Sequence, residues 1–175
     1  MNTSQDGSTK LACVLADEVV RRFGTIRLRV FGTSMVPSVL PGDLISVQRA
    51  SVSEISPGEI VLYMREGRLF AHRVVGYTGD HQRHDDSRLI TRGDRLSHND
   101  PPVSSSELLG RVTSIQCGEG IGYRQVRSSG RQSATEQIVV RLLQTSDDAT
   151  YLYLRLMRLT GYWRRIFSGG TACRA

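Results

Sequence analysis

The feature that most constrains the fold is a series of short apolar segments between residues 25 and 116, each bounded by turn-forming residues. In the first, Ile26, Leu28 and Val30 alternate with two arginines, which is the two-residue period of a half-buried strand. The further segments are Leu44–Gln48, Ile60–Met64, Leu69–Tyr77, Leu89–Thr91 and Leu108–Gln116. The pattern predicts a mainly β domain, either a coiled antiparallel sheet or a partly open β-barrel.

Turn chemistry separates these segments. Pro41-Gly42-Asp43 precedes the second segment, and Pro57-Gly58-Glu59 precedes the third. The sequence Arg65-Glu66-Gly67-Arg68 is a tight hairpin signal between the third and fourth segments. These turns mark strand starts and do not form a domain-sized internal repeat.

Helices are expected at both ends of the β domain. The apolar residues Leu11, Val14, Leu15, Val19 and Phe23 recur at helical spacing, and they predict a short amphipathic helix that ends near residue 24. We expect four parts in the chain: a leader and this short helix together over 1–24, of which 1–10 are disordered, the β domain over 25–117, a Gly- and Ser-rich linker over 118–135, and a basic amphipathic helical tail over 136–175.

The 175-residue chain carries a net charge of +6, which suggests an anionic neighbour. Much of the excess lies in the tail, at Arg155, Arg158, Arg164, Arg165 and Arg174. The tail either packs on the β domain or on a second subunit, or makes peripheral contact with an anionic membrane through Leu residues, Trp163 and Phe167. A nucleic-acid patch ranks third, because few aromatic residues stand beside the basic ones. The oligomeric state is left open.

The cysteines and the apolar runs bear on the compartment. Cys13, Cys117 and Cys173 are odd in number and widely spaced, so they predict free thiols in a reducing compartment rather than a disulfide framework or a zinc site. No apolar run reaches the ~18–20 residues needed to span a bilayer, and the polar start of the chain does not match a secretory signal. We expect a soluble, cytoplasmic protein, with peripheral membrane contact as the alternative.

Four residues could carry chemistry. Ser34 stands in Gly32-Thr-Ser-Met-Val-Pro37, which favours a hydroxyl held at the mouth of a groove with little bulk around it. His72 follows the hairpin turn on a strand, where it could take the proton of that hydroxyl. Asp94 and Asp100, further along, could each orient the imidazole.

Each of these residues also has a purely structural interpretation. Ser34 could be a turn former, and His72 a histidine packed among apolar neighbours. Asp94 could bond its own turn, and Asp100, before two prolines, could be a structural cap. Either acid could pair with Arg92 or Arg95. The remaining histidines, His81, His84 and His98, lie in loop-like sequence, fit no zinc motif and are interpreted as solvated side chains.

The motifs, taken in order, resemble the signal peptidase I family over about residues 28–115. They are Gly-Thr-Ser-Met-x-Pro, Pro-Gly-Asp, Pro-Gly-Glu-Ile-Val, Ala-His-Arg-Val-Val-Gly, Thr-Arg-Gly-Asp with a second Asp six residues on, and Leu-Gly-Arg-Val. The chain is also similar, more distantly, to LexA-like self-cleaving repressors. Bacterial signal peptidases place a lysine in the Arg-Val-Val strand; His72 here resembles the archaeal and endoplasmic-reticulum branch.

The resemblance implies a serine endopeptidase of the LexA/signal-peptidase fold that acts on a peptide or a preprotein. It implies that Ser34 is the nucleophile, that His72 is the base, and that Asp94 and Asp100 occupy the two acidic positions of that branch. No cofactor and no metal are expected. The chain departs from the signal peptidases at Gly32, where they often carry a serine that helps to hold the oxyanion. The alternative is therefore a catalytically weak or inactive peptide-binding or maturation accessory module of the same fold.

Overall fold

The computed structural model describes residues 3–78, 87–116, 123–125, 139–141, 143 and 148–156. Its first element is helix α1 (Thr3–Phe23). The strands that follow are β1 (Thr25–Arg29), β2 (Leu44–Gln48), β3 (Ile60–Arg65), β4 (Arg68–Thr78), β5 (Arg88–Arg92), β6 (Leu108–Gln116) and β7 (Tyr123–Gln125), with a 3-10 turn at Val52–Glu54 between β2 and β3. The six segments predicted as strands are confirmed as β1 to β6, with their bounds shifted by one residue at most.

The strands form one antiparallel sheet in the order β1-β2-β6-β3-β4-β5, and β7 also pairs with β6. Strand β6 lies in the middle of this order and pairs with both β2 and β3. It therefore joins the β1–β2 pair to the β3-β4-β5 meander. Among the described residues β1 and β5 have one strand neighbour each, so the sheet is unclosed. The predicted class, a mainly β fold with an open antiparallel sheet, is confirmed.

Apolar side chains pack on both faces of the sheet. One cluster, which includes Ile45, Leu62 and Val112, lies on the side of α1. The other cluster surrounds Tyr63 and Val74, and it brings in Leu89 and Val103 from the far end of the sheet. Alternate residues of β3 therefore face different clusters, and all of its first four residues are buried. The position of His72 on β4 depends on this second cluster.

Helix α1 differs from the prediction in two ways. It begins at Thr3, so helix replaces most of the expected leader, since adding residues to a formed helix costs little. Its buried residues are Cys13, Ala16 and Val20, whereas Leu11 and Leu15 are 61% and 55% exposed. Small side chains let the helix approach the sheet closely, and this packing outweighs the apolar periodicity. The predicted end is confirmed: Gly24 has a positive φ of 74° and donates its N–H to the Val20 carbonyl.

The predicted linker and tail are described only in part. Strand β7 lies inside the segment predicted as a linker, and residues 139–141, 143 and 148–156 are helical. The tail residues Arg158, Trp163, Arg164, Arg165, Phe167 and Arg174, together with Cys117, Cys173, His81 and His84, lie outside the described residues. In the part of the chain that the structure describes, no helix combines the length and the apolar character that crossing a membrane requires.

Gly110 on β6 lies close against the backbone of β2. A Cβ atom at this position would lie 2.2 Å from the Gln48 carbonyl oxygen and 2.7 Å from its carbonyl carbon, so the backbone of β2 would have to move. We expect Gly110→Ala to lower the free energy of unfolding by about 2–3 kcal/mol or more, measured by urea denaturation. Gly76→Ala is the matched control, because a Cβ there meets nothing within 4 Å. Equal stability of the two variants would contradict this account.

Candidate active site

Ser34 lies in a compact turn between β1 and β2. The Val36 N–H donates to the Thr33 carbonyl at 3.2 Å, and the Val39 N–H donates to the Met35 carbonyl at 2.9 Å. Met35, Val36 and Val39 are each at most 2% exposed. These apolar side chains anchor the turn in the core, which leaves the serine hydroxyl at a fixed place on its surface.

His72 lies in the middle of β4, where β3 and β5 flank it. Its Cα pairs with that of Val61 on β3, and the next residue, Arg73, pairs with Arg92 on β5. The His72 side chain is on the face of the Tyr63 cluster, with the rings of Tyr63 and Phe70 edge-on at centroid distances of 6.1 and 6.0 Å. A central strand and two aromatic contacts hold the imidazole in one orientation.

The imidazole of His72 connects a hydroxyl to a carboxylate. Its Nε2 lies 2.9 Å from Ser34 Oγ, and its Nδ1 lies 2.6 Å from Asp100 Oδ2. Because a carboxylate can only accept hydrogen bonds, Nδ1 carries the proton and donates it to Asp100, so Nε2 accepts from the serine hydroxyl. The His72 residue is 5% exposed, whereas Ser34 and Asp100 are half-buried.

Asp94, the other predicted acid, has a different partner. Both of its carboxylate oxygens accept hydrogen bonds from the guanidinium of Arg73, each at 2.8 Å. Arg73 also donates to the Gly58 carbonyl at 2.8 Å and to Ser38 Oγ at 3.1 Å. Of the two acids, Asp100 contacts His72, whereas Asp94 pairs with Arg73, which also donates to Ser38 in the turn that carries Ser34.

Breaking the Arg73–Asp94 pair should reduce stability. The two side chains are only 13% and 3% exposed, so Asp94→Asn leaves a buried cation without its counter-charge. We expect a loss of about 3–5 kcal/mol in the free energy of unfolding, measured by urea denaturation at pH 7. The matched control is Asp17→Asn, which removes an exposed pair with Arg21 and should cost far less stability. A loss at Asp94 no larger than at Asp17 would contradict this role.

The sequence analysis did not single out Arg65, which holds the loop that carries Asp100. Its guanidinium donates to the carbonyls of Pro101 and Pro102, each at 3.0 Å, and to Glu107 at 2.6 and 3.0 Å. The hydrogen bonds from Arg65 lower the pKa of Glu107 to about 2, although burial opposes them. Arg65 thus fixes the loop directly after Asp100 to strand β3. No local pattern in the sequence reveals this contact, because 36 residues separate its partners.

Two further residues near the site were missed, Thr91 and Tyr63. Thr91 is fully buried on β5 and donates its hydroxyl to Asp100 Oδ2 at 2.7 Å. Tyr63 is 2% exposed on β3, and its hydroxyl lies 3.5 Å from His72 Nδ1 and beside the Asp100 carboxylate. A signal for Tyr63 existed: the tight turn after Arg65 fixes the hairpin register, which places Tyr63 opposite Phe70 and on the face of His72.

These contacts set the ionisation of Asp100. Desolvation by burial raises its pKa, but the hydrogen bonds from His72 and Thr91 act in the opposite direction, so the pKa of Asp100 lies below its ordinary value. The carboxylate is therefore charged at neutral pH. A charged acceptor is what the Nδ1–H of His72 needs in order to keep its orientation.

The loop before Asp100 also touches the Ser34 turn. The Arg95 N–H donates to the Ser34 carbonyl at 2.9 Å, and a Cβ atom on Gly93 would lie 2.8 Å from that oxygen. The Arg95 guanidinium reaches Thr33 Oγ1 and Thr150 Oγ1, each at 3.4 Å. Gly93 thus lets two loops meet at the serine. Among the described residues no group of three or more His, Cys, Asp or Glu side chains could hold a metal ion.

Residues 3–83 match the family model described as Peptidase S24-like. This match supports the superfamily of LexA-like and signal peptidase-like serine peptidases, and it points to a hydrolase in general terms. The matched segment contains Ser34 and His72 and ends before Asp94 and Asp100. No curated protein matches the chain significantly.

Proposed function

We propose that the chain is a serine endopeptidase, similar to signal peptidase I, that cleaves a peptide or a preprotein. In this proposal Ser34 is the nucleophile, His72 the general base and Asp100 the orienting acid. The observation that carries it is the placement of one imidazole 2.9 Å from a serine hydroxyl and 2.6 Å from a half-buried carboxylate. That is the arrangement in which a serine hydroxyl becomes a strong nucleophile.

The first step forms an acyl-enzyme. Ser34 Oγ attacks the carbonyl carbon of the scissile peptide bond while His72 Nε2 takes the hydroxyl proton. Asp100 stabilises the imidazolium that results, because its negative charge lies against Nδ1. The tetrahedral intermediate carries an oxyanion, which backbone N–H groups, including that of Ser34, would hold.

The second half of the reaction releases the products. The imidazolium of His72 gives its proton to the leaving amine as the C–N bond breaks. Water then enters, loses a proton to His72 Nε2 and attacks the acyl carbon, and the proton returns to Ser34 Oγ when the acid product leaves. The cycle consumes one water molecule for each peptide bond, and it needs no external cofactor.

An extended peptide is the substrate shape that this proposal implies. Main-chain hydrogen bonds to a strand edge would align the scissile bond whatever its side chains, and pockets for alternate side chains would select the sequence. In this proposal Asp94 has a supporting role. It holds the guanidinium of Arg73, and Arg73 donates a hydrogen bond to Ser38 in the turn that carries Ser34.

A second candidate is a weak or inactive peptide-binding module of the same fold. The observation that favours it is Gly32, two residues before Ser34, where a Cβ atom would meet nothing within 4 Å. The space for a side-chain hydroxyl is thus present beside the serine, but no side chain fills it. Loss of one oxyanion donor can cost about 10²–10³ in rate.

Labelling with a serine-reactive phosphonate tests the proposal. The protein is incubated with the reagent at neutral pH and digested with trypsin, and the adduct is located by mass spectrometry in the peptide Val30–Arg49, which contains three serines. Stoichiometric modification of Ser34, with Ser38 and Ser46 unmodified, is the expected result. An unlabelled protein, or a label spread over several serines, would count for the inactive module.

A further inference from the structure

Thr91 occupies a position of strand β5 at which its neighbours are apolar. It is fully buried, and it pairs across the strands with Val74, which is 1% exposed. Leu89, two residues earlier on the same face of β5, is fully buried as well. Valine has nearly the same shape as threonine, whereas a buried hydroxyl costs free energy unless it is hydrogen-bonded. The hydroxyl of Thr91 is therefore the feature to explain.

The side chain and the backbone of Thr91 both bind Asp100. Thr91 Oγ1 donates to Asp100 Oδ2 at 2.7 Å, and the Asp100 N–H donates to the Thr91 carbonyl at 2.8 Å. The oxygen that accepts from Thr91 is the same one that accepts from His72 Nδ1 at 2.6 Å. Because the Cβ atom of threonine is branched, rotation about its χ1 torsion is restricted, and the hydroxyl holds that oxygen at one place.

A contact with His72 alone would fix the carboxylate poorly. The last torsion of an aspartate side chain joins an sp³ carbon to an sp² carbon, and rotation about it is soft. The Asp100 side chain is 13% exposed, so water can compete for its oxygens. The imidazole approaches Oδ2 from β4 and the Thr91 hydroxyl approaches it from β5. Two donors on different strands therefore define the position of Oδ2 better than one donor does.

We propose that Thr91 is a positioning residue that acts through Asp100, and that its hydroxyl keeps the carboxylate aimed at His72 Nδ1. This inference rests on the proposed function and deepens it. In that mechanism the carboxylate must stay in place while His72 gains a proton and gives it up again. A hydroxyl on a neighbouring strand supplies the constraint without taking part in the proton transfers.

Thr91→Val isolates this contact, because it keeps the shape of the side chain and removes the hydroxyl. The Asp100 N–H can still donate to the carbonyl of residue 91. Arg65 still holds the carbonyls of Pro101 and Pro102. The loop should therefore stay in place while the carboxylate loses one donor. Circular dichroism is used to check that each variant is folded before rates are compared.

The kinetic effect should fall on the chemical step. At neutral pH we expect Thr91→Val to react about tenfold more slowly with the phosphonate than the wild type does. With a peptide, kcat should fall and KM should stay unchanged, because the lost contact is not with substrate. Thr91→Ser restores a hydroxyl and should recover most of the lost rate.

Thr113→Val is the matched control. Thr113 is half-buried on β6, and its hydroxyl donates to the Ser46 carbonyl at 3.3 Å rather than to Asp100. The variant makes the same chemical change on another strand, so it reports the general cost of losing a threonine hydroxyl. It should label at the wild-type rate.

A double variant tests whether Thr91 acts through the acid. In Asp100→Ala there is no carboxylate to aim, so the addition of Thr91→Val should slow labelling no further. A merely structural role would instead give independent effects that multiply, and that result would overturn the proposal.

A readout that needs no turnover separates this inference from the proposed function. The ¹⁵N resonances of the His72 ring, assigned by their loss in His72→Gln, report which nitrogen carries the proton. In the wild type this nitrogen should be Nδ1. In Thr91→Val the Nδ1 resonance should move toward that of Nε2, because a carboxylate that is held less firmly selects the tautomer less strictly. Thr91→Ser and Thr113→Val should keep the wild-type resonances.

The two possible failures are distinguishable. A changed Nδ1 resonance in Thr91→Val, in a protein that takes up no phosphonate, supports the positioning role and counts against the peptidase. An unchanged resonance, or a wild-type labelling rate in Thr91→Val, overturns the positioning role even where Ser34 is labelled. Equal changes in Thr91→Val and Thr113→Val also overturn it, since any lost hydroxyl would then have the same effect.

Discussion

Ser34→Ala is expected to lower kcat for peptide cleavage by about 10⁶-fold, to the background rate, while the fold is unchanged. In the proposed mechanism this hydroxyl forms the acyl-enzyme, and no other serine lies within hydrogen-bond distance of His72 Nε2 among the described residues. The side chain is small and its neighbours Met35 and Val36 anchor the turn, so the variant should keep wild-type stability. The measurement is cleavage of a short peptide with small residues before the scissile bond, followed by mass spectrometry.

Ser38→Ala is the control for this variant. Ser38 is in the same turn and accepts a hydrogen bond from Arg73, but it does not contact His72. It should retain cleavage within an order of magnitude, with a modest loss of stability. Equal rates for Ser34→Ala and the wild type would remove the nucleophile from the proposal, whatever the geometry of the imidazole.

The second large effect is expected at Asp100. Asp100→Asn should lower kcat by about 10⁴-fold with little change in KM. An amide carries no charge to stabilise the imidazolium, and its NH₂ group can donate to Nδ1. The proton of the ring then moves to Nε2, which can no longer accept the Ser34 hydroxyl proton. The structure around the site should persist, because Thr91 and Arg65 still hold the loop.

Asp94→Asn distinguishes the two acids in the same assay. Its carboxylate contacts Arg73 rather than His72, so any loss of rate should follow the loss of folded protein. Rates are therefore divided by the folded fraction from circular dichroism. After this correction we expect Asp94→Asn to lie within tenfold of wild type and Asp100→Asn to remain about 10⁴-fold below it. The reverse order would exchange the roles of the two carboxylates.

The sequence predicted the strands well, because alternation and turn residues are local signals. The bounds of β2 and β6 were predicted to the residue. Ser34 and His72 were also singled out from local motifs, and the structure brings them together. Their catalytic roles remain part of the proposal.

What the sequence could not supply depends on contacts between distant segments. From the sequence alone, either Asp94 or Asp100 could reach His72, because the choice depends on the position of the loop after β5. Arg65, on strand β3, fixes that loop through hydrogen bonds to the carbonyls of Pro101 and Pro102. The face of α1 was predicted wrongly for a similar reason. The periodicity of Leu11 and Leu15 marks an apolar stripe, but contact with the sheet is made by smaller residues on the opposite side.

The central position of β6 has a consequence for when the protein can act. Ser34 belongs to the hairpin of β1 and β2, whereas His72 and Asp100 belong to the β3-β4-β5 meander and its following loop. These two halves of the sheet are joined through β6, which is synthesised after all of them. In a refolding experiment, phosphonate reactivity should therefore appear only with the final, cooperative phase. A nascent or partly folded chain would hold the serine and the histidine apart, and so could not yet carry out the proposed cleavage on its neighbours.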